Sequence, residues 1–221
     1  ADVPSTAGRR DPIEILIGQD ETRQAHLVPI RHGRMGATAF TFYRGTAAIM
    51  AADLATLPTT DLRVQLCGDA HLSNFGLFNG PDRRLEFDLN DFDETIPGPF
   101  DWDVKRLAAS VEIAGRNNDI STSKRNAATR AAVSGYRETI ARAAKETPLD
   151  VHYRRLEVDQ LVARLDAKAQ TRAKKTTKKA RRKNSLRAFD KLTDVVDGKR
   201  VIVADPPLIT PFDRNIDGDE R

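Results

Sequence analysis

Asp69, His71 and Asn74 share one short glycine-bounded stretch, GDAHLSNFG (residues 68–76), and a second acidic stretch, DFDETIPGPFDWDVKRL (91–107), follows it closely. Asp69 and Asn74 form Asp-x-x-x-x-Asn directly after RVQLCGD (63–69), a short apolar run that glycine halts and that reads as a buried strand. In a tight loop that spacing turns both side chains toward one point. The carboxylate there can accept the proton of an attacking hydroxyl, and the amide oxygen can bind a divalent cation. Asp91 also follows a strand-like run, RRLEFDLND (83–91), so its carboxylate is expected beside the first site. Mg²⁺ takes one or two carboxylates together with phosphate oxygens, and Asp91 with Asn74 is a set of that kind. Asp93 and Glu94 offer either a further metal ligand or a solvated loop face. Asp and Asn are ordinary turn residues as well, so the first spacing alone says little. The second loop sharpens it, because Gly98 and Asp103 follow Asp91 at offsets of seven and twelve, with Asp103 placed to cap a helix.

These two loops resemble those of the aminoglycoside-phosphotransferase and protein-kinase-like superfamily, which read roughly H-G-D-x-H-x-x-N followed by D-x6-G-x4-D. The stretch from about Arg34 to Ser110 more closely resembles the bacterial family DUF2252, which carries GDAHLSNFG and DFDE…WDVKRLAAS nearly as written here. By that resemblance Asp69 is the catalytic-loop base and His71 braces the same loop. Asn74 and Asp91 are metal ligands, with Asp93 as a further candidate. Asp103 is a structural acid supporting the loop from a helix start, within a frame that includes Gly68 and Gly98. The implied activity is a phosphotransferase that depends on Mg²⁺ (or Mn²⁺) and uses ATP, with an acceptor that the resemblance does not identify. A catalytically silent kinase-like binding module and a metal-dependent phosphohydrolase are the alternatives. Two departures stand out: Cys67 occupies a position where the superfamily often has histidine, and none of the thirteen glycines forms a G-x-G phosphate loop. In related full-length sequences a Gly-Val-Gly-type segment and a Lys-Glu pair follow the catalytic loops. These 221 residues are therefore expected to be an N-terminal half or a truncated member, lacking the nucleotide cradle.

The elements that must position these residues make an α+β arrangement of the kinase C-lobe type, in a domain expected to be incomplete. Residues 1–36 read as an extended arm with one short helix near PIEILIGQ, and 37–166 as the catalytic core with its helices. TAFTFYRGTAAIMAADLATLP (38–58) reads as one helix ended by Pro58. The strands at 63–69 and 83–91 flank a loop of about fifteen residues, which suggests that they pair as a hairpin. Val104, Leu107, Ala108 and Val111 fall at helical spacing after Asp103, Ser121 opens a second helix, and Val158, Leu161, Val162 and Leu165 mark a third that can continue into the basic run. Segment 167–189 reads as a basic helix. Segment 190–221 starts a further strand-containing region, turning at Gly198 and ending in the polar DRNIDGDER.

Composition narrows the classes. No apolar run approaches the roughly 20 residues that a membrane helix needs, and the polar start ADVPSTAGRRDP has no apolar signal-peptide core. Cys67 is the single cysteine, so the chain has no internal disulfide, and a cytoplasmic location follows as the expectation. The net charge of +4 is uneven: ten Lys or Arg and no acid lie between Ala167 and Phe189, leaving the rest net acidic. The run at 168–187 is either a solvated helix or a contact for a polyanion. It has no aromatic residues, so a nucleic acid would be held there by its backbone alone. The nucleotide and an unknown small-molecule or protein acceptor complete the expected partners. Counting from Asp91, a calcium loop fails, with Ile96 at its glycine position and Trp102 at its glutamate position. Trp102 is read as a core anchor, and Cys67 as a small buried residue with no histidine–acid pair to activate it.

Overall fold

The computed structural model describes residues 8–210 apart from 81, 83, 164, 182–184 and 208. The tail from 211 onward, including DRNIDGDER, and Arg182–Asn184 of the basic run lie outside the described residues. The chain is α+β, with helices alternating with three two-stranded sheets. It divides into one unit of Ala1–Gly76 with Phe87–Leu156 and another of Leu77–Glu86 with Glu157–Arg221.

The first unit has the short helix expected near PIEILIGQ, but a second helix and core packing replace the extended arm around it. Asp11 caps α1 (Pro12–Asp20) by accepting from the Ile13 N–H at 2.8 Å, and Pro12 supplies a pre-set φ at the first position. After α2 (Val28–Met35), Ile15, Leu16, Met35 and Ile49 bury one another, so the N-terminal segment is part of the core. The expected helix at 38–58 is two, α3 (Ala39–Arg44) and α4 (Ala47–Leu54). The break at Gly45 has a packing cause: a Cβ there would meet the Met35 Sδ at 2.7 Å.

Strand pairing also differs from the expected hairpin. β1 (Arg63–Leu66) pairs antiparallel with β4 (Ile96–Pro99), in the register Arg63↔Pro99 to Leu66↔Ile96, while β2 (Phe75–Asn79) pairs with β3 (Leu85–Leu89). β4 reads IPGP, with no alternation and two prolines, which is tolerable at a sheet edge where ladder donors are not needed. Gly98 in β4 is required by packing, since a Cβ would lie 2.5 Å from the Leu66 Cδ1.

Helix α5 (Asp101–Asn117) follows at once and packs along α6 (Thr122–Ala143), with Phe100 stacked on Tyr136. Phe100 holds the cap position of α5, so Asp103 lies in the first turn and not at the cap. A short α7 (Pro148–Tyr153) closes this unit.

In the second unit, α8 (Val158–Ala163) and α9 (Ala167–Arg181) are separate helices. Asp166 stops any continuation, because its carboxylate accepts from the Ala169 N–H at 2.8 Å and starts α9 afresh. After α10 (Ser185–Leu192), β5 (Thr193–Val196) and β6 (Lys199–Ile202) form an antiparallel hairpin. Asp197 and Gly198 supply the two positive φ angles that such a turn demands.

Candidate functional site

The GDAHLSNFG loop begins where β1 ends, and it is bent by Gly68 at φ +85°. A Cβ there would sit 2.0 Å from the Glu94 carbonyl oxygen, so conformation and space both exclude any other residue.

What fixes the loop is a polar stripe along α5. Asp103, Arg106 and Ser110 stand at i, i+3 and i+7 and therefore share one face. Each side chain holds a successive point of the loop. The Cys67 and Gly68 N–H groups donate to the two oxygens of Asp103 at 2.7 and 3.1 Å. Arg106 donates through Nε and Nη2 to the Asp69 Oδ1 at 2.8 and 2.7 Å. Ser110, with no exposed surface, accepts from the Leu72 N–H at 2.9 Å and donates to the Leu107 carbonyl. Burial pushes the Asp103 carboxyl up from its ordinary range, and the two N–H groups partly counter this.

Arg106 is 2% exposed. Besides Asp69 it donates to the Tyr43 carbonyl at 2.7 Å, and its guanidinium lies 4.0 Å over the Tyr43 ring. The Tyr43 hydroxyl donates back to the Arg106 carbonyl at 2.9 Å. One carboxylate oxygen of Asp69 is thus committed. The other, Oδ2, stands 3.6 Å from the His71 Nε2.

His71 is buried, and its Nδ1 accepts from the Ser73 N–H at 3.2 Å, so the network assigns its proton to Nε2, facing Asp69. Burial lowers its pKa; Asp69 opposes that, while Arg106 and Arg44 add to it. His71 is accordingly a neutral donor at ordinary pH. Asn74 is buried too, and its Nδ2 donates to the Asp69 carbonyl at 2.8 Å, leaving Oδ1 as the atom that could face a cation.

The second loop is tied to the first through its backbone. The Asn90 N–H donates to the Asn74 carbonyl at 3.0 Å, and the Cys67 thiol lies 3.3 Å from the Asp91 carbonyl, which it donates to. Burial raises the pKa of that thiol, so it stays protonated and acts as a tie. The Asp91 side chain is exposed and accepts from the Asp93 N–H at 3.3 Å in a local turn. The structure therefore brings Asp69, His71 and Asn74 into one buried loop, with the start of the Asp91 loop tied beside it. Gly68, Gly98 and Asp103 hold that loop from behind, and Asp93 points into solvent-accessible surroundings. Among the described residues, no group of three or more His, Cys, Asp or Glu could hold a metal ion. Arg106, Ser110 and Tyr43 escaped the sequence reading, although polar residues at helical spacing from Asp103 carry the signal.

A family model described as an uncharacterized protein conserved in bacteria, DUF2252, matches residues 23–220. The chain belongs to the DUF2252 family. No curated protein and no solved structure matches it. The DUF2252 match spans both loops and the α5 stripe, so the buried Asp69–Arg106 pair lies well inside the family region.

Proposed function

We propose that this DUF2252 chain carries the base- and metal-bearing part of a kinase-like phosphotransfer site that uses ATP. The observation that supports it best is the α5 stripe, in which half-buried Asp103 and buried Arg106 and Ser110 all hold the one loop that carries Asp69, His71 and Asn74. Asp69 Oδ2 is the proton-accepting atom for an acceptor hydroxyl, while Arg106 fixes the carboxylate through Oδ1 and His71 Nε2–H limits its rotation. Asn74 Oδ1 and the Asp91 carboxylate fit Mg²⁺ or Mn²⁺, since such an ion needs only one or two protein carboxylates and completes its shell with phosphate oxygens and water. When bound, the ion would neutralise charge on the transferring phosphoryl group. The acceptor is a small molecule or a protein, and the single buried Cys67 thiol suits a cytoplasmic setting. α9 offers a polyanion contact: Lys168, Arg172, Lys174, Lys175 and Lys178 are exposed, while Thr177 is buried.

A second reading, a catalytically silent binding module, is favoured by the Arg106–Asp69 ion pair, which ties up one oxygen of the base. The same acids acting on water would make a phosphohydrolase instead. Thermal denaturation separates these readings. Mg²⁺ or Mn²⁺ at about 100 times its Kd should raise Tm by on the order of 5 °C. Asp91→Ala should remove that rise, and Asp69→Asn should keep it relative to its own baseline. Phosphate release from ATP without any acceptor would identify the hydrolase. A metal response that survives Asp91→Ala would overturn the site.

A further inference from the structure

Beside Gly68 of the loop, the first unit contains a cavity of about 390 Å³, within the size range of small-molecule sites. One wall comes from α4, where Ala47, Ala48 and Ala51 stand beside Met50 and Leu54, and Leu66 and Ile96 line the same space. Trp102 and Arg106 of α5 close it. The Trp102 indole N–H is buried and has no acceptor among the described residues, and the third nitrogen of Arg106 reaches only the Met50 Sδ at 3.8 Å. The walls are therefore mainly apolar, with these two donors buried behind them. Asp93 and Glu94 also line the cavity, both exposed. Neither carboxylate makes a hydrogen bond or ion pair among the described residues, and Arg31 lies within the longer-range field of Glu94. The one cation in the wall, Arg106, is already matched by Asp69. The cavity is thus apolar within and carries two carboxylates without a direct ion-pair partner at its edge.

We propose that this cavity binds a small organic amine, its ammonium group beside Asp93 and Glu94 and its apolar body against the alanine wall of α4. An occupant touches the guanidinium that holds Asp69, which makes the cavity a second ligand site coupled to the loop.

Trp102 is the only tryptophan, so its fluorescence reports occupancy directly and needs neither metal nor nucleotide. Success or failure here is therefore independent of the phosphotransfer reading. The full chain is titrated with 2-phenylethylamine and with its uncharged isostere 2-phenylethanol. The amine should saturate the signal and bind about tenfold more tightly than the alcohol, as a charge-assisted contact allows. The double variant Asp93→Asn/Glu94→Gln should erase that preference. Ala51→Phe should fill the cavity and abolish the response to both probes; if it misfolds, Ala48→Leu serves the same purpose. Equal binding of amine and alcohol, no saturable response, or a response that persists in the correctly folded filled variant would each overturn the proposal.

Discussion

Arg106 is a buried cation whose counter-charge is the residue proposed to do the chemistry. Removing one partner of such a pair leaves an uncompensated charge, which typically costs about 3–5 kcal/mol. Arg106→Ala is therefore expected to lose about that much stability in urea denaturation. Arg106→Ala/Asp69→Asn should recover part of the loss, because the stranded carboxylate is gone. If the double variant is no better than the single one, the loss comes from packing on Tyr43 and not from charge. His71 gives a pH signature. Its folded pKa lies below its ordinary value of 6.5, so between the two values the unfolded chain binds a proton that the folded chain does not. Stability from this residue is fully present above pH 6.5 and is lost as pH falls toward the folded value. The Tm advantage of the natural chain over His71→Gln should accordingly shrink between about pH 7.5 and 5. At this scale the sequence pointed to Asp69, Asn74 and Asp103 through their types and spacing. It hid Arg106 and Ser110, because pattern reading follows the apolar face Val104, Leu107, Ala108 and Val111 and assigns polar neighbours to solvent.

At the scale of elements, α5, α6, α8 and the basic α9 were legible, whereas α7, the break between α9 and α10, and the strand partners were not. Nothing in IPGP marks a strand, although Gly98 leaves room for the Leu66 side chain once β1 pairs with it. Of the N-terminal helices, α1 was legible at PIEILIGQ, whereas α2 was not, because it buries only Met35, too little to set a period. α9 shows the reverse case, a helix whose exposed face is legible as charge. If that face holds phosphates, affinity for a nucleic-acid duplex should fall linearly on a log–log plot against salt, by about 0.9 per phosphate neutralised. Changing Lys174, Lys175 and Lys178 to Gln should then flatten the slope by up to about 3 without shifting Tm. An unchanged slope would mark α9 as a solvated helix. Thr177, buried on its inner side, is left untouched by those substitutions and should keep the helix seated.

Across the whole molecule, every residue of the candidate site lies in the first unit, and the second unit interrupts it in sequence at Leu77–Glu86. The net charge follows the same division of labour, with the dense basic run confined to 167–189 and the acids of the site elsewhere. Sequence could place that run but not the interruption, because a ten-residue excursion carries no compositional mark. The α5 stripe has a consequence for how the molecule breathes. Loop amides normally trade their hydrogens for deuterium within seconds, since opening a loop costs little. Here the amides of Cys67, Gly68 and Leu72 are each bonded to a side chain of the central helix, so releasing them requires that helix to move. In an exchange experiment followed by mass spectrometry, a peptide covering residues 66–73 should label as slowly as α5 itself, and far more slowly than the exposed turn at 91–95. Fast labelling of 66–73 would mean that the stripe is not closed in solution.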